Sequence, residues 1–130
     1  MISRDDVEGF LGRIVDGADY REVDEGIWVV SAGDSAEVVV NYEPPVLVLR
    51  VNVIEVPDAK ESRVSLMTKL LELNATDLVH GSYGLEGKHI VLTDALQLEN
   101  LDFNEFQASF DSMTLALASH MPALAKHGEA

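Results

Sequence analysis

The feature that most constrains this chain is a helical pattern leading directly into a hairpin pattern, within residues 62–101. Apolar residues at spacings of three and four predict a helix with a broad apolar face: Val64, Met67, Leu70, Leu71 and Leu73. Asn74 is predicted to end this helix, because asparagine tolerates the left-handed conformation of helix C-termini. Residues 78–83 and 89–92 predict two strands, and the glycines of residues 84–87 predict the turn between them. These three pieces are expected to share one core.

Three more predicted strands precede that stretch: residues 26–31, 37–42 and 46–54, all rich in β-branched residues. Their connections are too short for parallel crossovers, so they predict an antiparallel meander. The third strand is apolar on both faces in its first half, which favours a central position or partial cover by a partner. Before them, residues 16–25 are acid-rich, and they either begin the first of these strands or form a loop.

Two more helices are predicted at the ends of the chain. Ser3 and Asp6 form a capping-box start for the first, and Gly17 is expected to end it near Asp16. A second capping box spans residues 102–105. The third helix then carries an apolar seam, which Pro122 is expected to end or kink: Phe103, Phe106, Phe110, Met113, Leu117 and Met121.

These patterns predict a single α+β domain over residues 1–130. Its fold is an antiparallel five-stranded sheet with three helices, in the order α-β-β-β-α-β-β-α. Trp28 is expected to anchor the core from the first strand, and the alternative is a hot spot for a partner.

Charge and composition exclude several classes of function. The chain has 9 basic and 23 acidic residues, a net charge of −14, so we expect it to bind neither nucleic acid nor anionic membranes. It has no cysteine, which excludes disulfides, thiolate catalysis and cysteine-ligated metals. No apolar run approaches the roughly 18 residues of a membrane span, and the polar N-terminus favours the cytoplasm.

The sequence predicts no catalytic, cofactor-binding or metal-binding residue. Residues 81–88 are glycine-rich but lack the spacing and the strand-to-helix context of a phosphate-binding loop. His80 and His89 lie on opposing predicted strands and are expected to share a face, yet two histidines do not complete a metal site. His120 and His127 are interpreted as charges near the end of the third helix.

The order of the elements, the size and the acidity resemble the type III secretion chaperone-like superfamily, with its Tir-chaperone and YbjN-like branches. The resemblance rests on residues 70–74 at the end of the second helix, on Gly81 and residues 90–92 of the hairpin, and on residues 101–110. It implies a homodimer that binds other proteins, without enzymatic activity.

We therefore expect a non-enzymatic, cytoplasmic protein-binding or regulatory module of YbjN-like type, without a cofactor. One alternative is a dedicated type III export chaperone for one client; another is a small-ligand-binding protein or enzyme that uses the His80/His89 face. Dimer contacts are expected from the second helix or from the third to fifth strands. The residues expected at a dimer or partner interface are Val46, Val48, Met67, Leu70 and Leu115.

Overall fold

The computed structural model describes residues 1–14, 19–32 and 36–128. Within them the chain forms three helices and six strands. In chain order these are α1 (Arg4–Arg13), β1 (Asp19–Asp24), β2 (Ile27–Ala32), β3 (Ala36–Glu43), β4 (Val46–Glu55), α2 (Lys60–Thr76), β5 (Ser82–Glu86), β6 (His89–Gln97) and α3 (Phe103–Gly128).

All six strands belong to one sheet, in the order β1-β2-β3-β4-β6-β5, and every neighbouring pair is antiparallel. The predicted α+β class and antiparallel sheet are confirmed. The predicted number of five strands is wrong, because β1 adds a sixth at one edge. All six β1 side chains are exposed, so the strand lacks the alternation of apolar residues that reveals a half-buried strand.

The core lies between one face of the sheet and the helices. Alternate residues of the central strands point into it, and Trp28, Val40 and Leu49 are fully buried there. From α3, Phe106 and Met113 are also fully buried, which confirms the predicted apolar seam. The burial of Trp28 confirms its role as a core anchor and contradicts its alternative role as a partner hot spot.

The two predicted capping boxes are present, but the predicted helix ends are not. Ser3 and Asp6 cap α1 through reciprocal hydrogen bonds, and Asp102 and Glu105 do the same for α3. Helix α1 ends earlier than predicted, at Arg13, and Gly17 lies outside the described residues. Helix α3 continues through Pro122 to Gly128; Pro122 is exposed, so water can satisfy the carbonyl that it leaves unpaired.

The second hairpin is shifted along the chain relative to the prediction. Strand β5 begins at Ser82, and the turn falls at Gly87 and Lys88 because Glu86 pairs with His89. Both Gly84 and Gly87 suit a turn, but Gly87 adopts the left-handed conformation, at φ +60°, while Gly84 lies within the strand. The first strand of this hairpin was predicted to begin at residue 78, which is wrong, since residues 78–81 precede β5.

Candidate protein-binding surfaces

A small apolar pocket lies between α2 and β5. It has a volume of about 180 Å³ and no charged side chain among its lining residues, which are Met67, Leu70, Leu71, Asn74, Tyr83, Gly84, Leu85 and Ile90. The side chains at its rim are open to solvent: Leu71 is 68% exposed and Leu85 59%. We call Met67, Leu71 and Leu85 the α2–β5 patch. The α2–β5 patch is thus an apolar surface on a chain whose net charge is −14.

Asn74 closes one side of this pocket and ties α2 to the sheet. Its side-chain amide donates to the carbonyl oxygen of Tyr83 at 3.1 Å and accepts the Tyr83 N–H at 2.7 Å. The predicted role of Asn74 as the helix stop is wrong, because α2 continues to Thr76. Its amide instead occupies the place of a neighbouring strand residue. The outer edge of β5 is therefore closed at Tyr83.

A polar network runs from the buried side chain of Tyr83 through buried His120 to the exposed Asp77. The Tyr83 hydroxyl is 2.8 Å from Nδ1 of His120, and His120 Nε2 is 3.2 Å from the Asp77 carboxylate. Burial raises the pKa of Tyr83 to about 12, because the phenolate would lose its hydration. His120, interpreted from the sequence as a charge near the end of the helix, is only 7% exposed and takes part in this network. The three side chains join β5, α3 and the C-terminus of α2.

The predicted shared face of His80 and His89 does not form. His89 lies opposite Glu86 at the tip of the hairpin. His80 precedes β5 and lies at the other end of that strand, with its Nδ1 3.9 Å from Asp94. Among the described residues no cluster of histidine and acidic side chains could hold a metal ion. A ligand site using both histidines is therefore contradicted by the register of the hairpin.

The other edge of the sheet, at β1, is open and acidic. The Tyr42 N–H donates to the Gly26 carbonyl at 2.8 Å, which fixes the alternation of bonded and non-bonded pairs across β2. By that alternation Val29 and its β1 partner Arg21 form a hydrogen-bonded pair, so the backbone groups of Arg21 face β2. The N–H and C=O groups of Tyr20 and Glu22 therefore point away from the sheet. No described strand lies beyond them.

Helix α1 supports this edge through one ion-pair cluster. Arg4 binds Glu22 and also contacts Asp5 and Glu8, while its guanidinium lies 5.3 Å from the centre of the Trp28 ring. The hydrogen bond from Arg4 lowers the pKa of Glu22 and keeps that carboxylate charged. This cluster holds the middle of β1 against the core, although the strand buries no side chain of its own.

The five predicted interface residues do not form one surface. Met67 and Leu70 line the α2–β5 pocket, where Leu70 is 5% exposed. Val46 and Val48 are half-buried on the sheet face opposite the core, since Leu47 and Leu49 alternate with them and are buried. Leu115 is 70% exposed, on the solvent side of α3, as predicted from its place off the seam.

Sequence reasoning missed the roles of Asn74 and of β1. No local pattern reveals that Asn74 bonds a strand nine residues away, because a polar residue on a helix face most often contacts water. For β1, the only available signal was that the acid-rich residues 16–25 are also compatible with an extended segment.

Several solved structures share the fold at low sequence identity. YbjN from E. coli has a TM-score of 0.65 at 12% identity, with 92% of this chain and 91% of that chain covered. A chain of the heterodimeric ExoU–SpcU complex of the type III secretion system of Pseudomonas aeruginosa has a TM-score of 0.64 at 14% identity, with 84% and 88% covered. A chain of the Yersinia pestis complex between the type III secretion chaperone SycH and a fragment of YscM2 has a TM-score of 0.63 at 12% identity, with 90% and 98% covered.

At the level of sequence, no curated protein matches this chain. No described helix is long and apolar enough to cross a membrane. The CesT_Tir_1 family model matches residues 3–129, nearly the whole sequence. The chain therefore belongs to the CesT_Tir_1 family of type III secretion chaperones.

Proposed function

We propose that this protein is a non-enzymatic, cytoplasmic protein-binding module that holds an extended segment of a partner protein at the open edge of β1. The observation that carries the proposal is the outward direction of the Tyr20 and Glu22 backbone groups, at an edge that no strand of the described residues covers. An extended segment that adds to such an edge gains main-chain hydrogen bonds independent of its sequence. Membership of a chaperone family supports this function.

The charge of the edge selects the partner. Asp19, Asp24 and Glu25 lie on or beside β1, whereas Glu22 is paired with Arg4, and the whole chain carries a net charge of −14. Long-range attraction therefore favours a basic segment and speeds its association. Solved complexes of similar fold contain a chaperone with its effector or with a fragment of another protein, which supports a polypeptide as the ligand.

A site-specific cross-linking experiment tests the edge. A photo-reactive residue at Val23, which is 53% exposed, should cross-link a partner in extracts of the native host. Tyr20→Pro removes an outward N–H without breaking the ladder to β2, so the purified partner should bind about tenfold more weakly. Tyr20→Ala keeps the N–H and is the matched control. Equal affinity of the Pro and Ala variants would exclude strand addition at β1.

We also propose a homodimer that pairs the α2–β5 patch of two copies. Leu71 and Leu85 are exposed beside a pocket without charged lining, on a chain whose net charge is −14. A two-fold axis brings the same patch together with itself and keeps the acids outside the contact. The resemblance to a superfamily whose members commonly form homodimers supports dimerisation.

Light scattering coupled to size exclusion tests the dimer at low-micromolar protein. We expect a mass of two 14.2 kDa chains for the wild type and of one chain for Leu71→Glu. Leu115→Glu is the matched control, because Leu115 is as exposed as Leu71 but lies on α3, and it should remain a dimer. A wild-type mass of one chain at every concentration would refute the proposal.

A dedicated export chaperone is the second candidate, favoured by the chaperone–effector complexes of similar fold. An export chaperone holds its client segment unfolded, whereas a regulatory module binds a partner that is folded or functions while bound. Hydrogen exchange of the captured partner separates the two, since an unfolded bound segment stays unprotected except where it pairs with β1. The genomic neighbourhood provides an independent test, because an adjacent secretion effector favours the export chaperone.

A further inference from the structure

Methionine is the only sulfur-containing residue of this chain. The sequence has four methionines and no cysteine, so a peroxide finds no thiol, and its two-electron oxidation falls on thioethers. Met1 is 64% exposed, whereas Met113 is fully buried. Met67 and Met121 lie between these extremes, since both pack against the core and keep part of their surface in solvent. Oxidation of Met67 or Met121 therefore changes a packed surface.

Met67 lines the pocket between α2 and β5. It lies four residues before Leu71 and seven before Asn74, so the three side chains share one face of α2 and line that pocket together. Leu71 and Leu85 are exposed at the rim, so the pocket opens to solvent. Hydrogen peroxide is little larger than water, and it therefore has access to this pocket in a single copy of the chain.

The pocket has no charged side chain to receive an added oxygen atom. Asn74 lines it, but this residue already bonds the Tyr83 backbone through both its amide nitrogen and its amide oxygen. Met121 has a different setting, because it lies on α3, outside this pocket. Of the two half-buried methionines, Met67 is therefore the one whose oxidation changes the α2–β5 patch.

Oxidation adds one oxygen atom to the sulfur. A sulfur lone pair attacks one oxygen of hydrogen peroxide, so that the S–O bond forms and the O–O bond breaks, and the departing hydroxide takes the proton of the transferred oxygen and leaves as water. The sulfur loses two electrons to the peroxide, and the flexible apolar side chain becomes a polar sulfoxide. Methionine sulfoxide reductases reverse the step, because two thiols supply the electrons and form a disulfide while the oxygen leaves as water.

We propose that Met67 is a site of reversible oxidation, at which a peroxide turns the α2–β5 patch from apolar to polar and separates the two copies of the chain. This inference rests on the dimer proposed above. A two-fold contact contains Met67 twice, so each oxidised dimer would bury two sulfoxide oxygens. Each of them loses its hydration in a contact whose lining offers no charged partner, and a polar group buried without a hydrogen bond opposes association.

Peroxide treatment of the full chain, followed by light scattering coupled to size exclusion, tests the switch. We expect the wild type to change from two 14.2 kDa chains to one, and methionine sulfoxide reductases with a thiol to restore the dimer. Met67→Leu keeps an apolar side chain without sulfur and should stay a dimer in peroxide. Met121→Leu is the matched control, because it removes the other half-buried methionine and should dissociate like the wild type. Met67→Gln places a polar amide in the patch and should be a single chain without peroxide.

Peptide mass mapping reads the modification separately from the dimer. In Leu71→Glu, which is expected to be a single chain, Met67 should gain one oxygen atom almost as fast as Met1 and far faster than Met113. In the wild type this rate should fall as the protein concentration rises, because the dimer covers the pocket, while the rate at Met1 stays constant.

Three results would overturn the proposal. They are oxidation of Met67 no faster than that of Met113 in Leu71→Glu, a wild-type dimer that persists with Met67 fully oxidised, and dissociation of Met67→Leu by peroxide to the same extent as the wild type. The last would place the critical oxidation at another methionine. A wild type that is a single chain before peroxide refutes the dimer and with it the switch, while the rates in Leu71→Glu still decide whether Met67 is a reactive methionine.

Discussion

At the scale of single residues, Tyr83 gives the fold a dependence on alkaline pH. Burial raises its pKa from about 10 to about 12 in the folded chain. Between these values the unfolded chain has lost the phenolic proton while the folded chain keeps it, so stability falls as pH rises. We expect urea midpoints to decrease from pH 10 upward, and to decrease less in Tyr83→Phe. Parallel pH profiles of the two proteins would show that Tyr83 ionises freely in the fold.

Asn74 is a second residue whose role is set by its contacts. Asn74→Ala leaves the N–H and the carbonyl of Tyr83 without their partners, and each unpaired buried group costs about 1–3 kcal/mol. We expect a lower free energy of unfolding and an increased tendency to associate through the opened β5 edge. Asn104→Ala, an exposed change on α3, is the control. Unchanged stability in Asn74→Ala would mean that water replaces the amide without loss.

At the scale of elements, a single substitution tests the packing of α3 against the core. Phe106 and Phe110 are buried, and their rings lie 6.3 Å apart between centroids. Phe110→Ala should lower the free energy of unfolding by about 3–5 kcal/mol, as measured for large-to-small aromatic changes in cores. Leu115→Ala on the exposed side of the same helix should change it by less than about 0.5 kcal/mol. A wild-type melting temperature for Phe110→Ala would place the seam outside the core.

At the scale of the whole molecule, the net charge of −14 predicts opposite salt dependences for the two proposed associations. Two copies repel each other, so added salt should strengthen the apolar dimer by screening. A basic segment at β1 is attracted, so the same salt should weaken its binding. Sedimentation equilibrium and a titration with the captured partner, each from low to high salt, measure the two trends. A dimer that dissociates in high salt would indicate an ionic interface.

How much of this could be predicted from the sequence differs from element to element. The capping residues Ser3 and Asp102 and the apolar seam of α3 were predicted correctly, because each pattern is local in the chain. The hairpin register was not, since Gly84 and Gly87 both suit a turn and only the pairing with β6 selects between them. Because the turn was predicted at the wrong residues, the position of His80 relative to His89 was also predicted wrongly, and the predicted ligand-binding face does not form.

By itself the sequence determined the class of the fold, since strand-forming runs joined by short connections must pair antiparallel and their alternation defines one apolar face. It also determined the acidity, which follows from composition alone. Only the tertiary structure decided which edges stay open. The side-chain amide of Asn74, on a neighbouring helix, closes the outer edge of β5 at Tyr83. Gly81 lies directly before β5, so that β5 covers only part of β6. Strand β1 joins the sheet without burying a side chain. Each depends on contacts between residues far apart in the chain or on backbone pairing, and neither leaves a periodic pattern in the sequence.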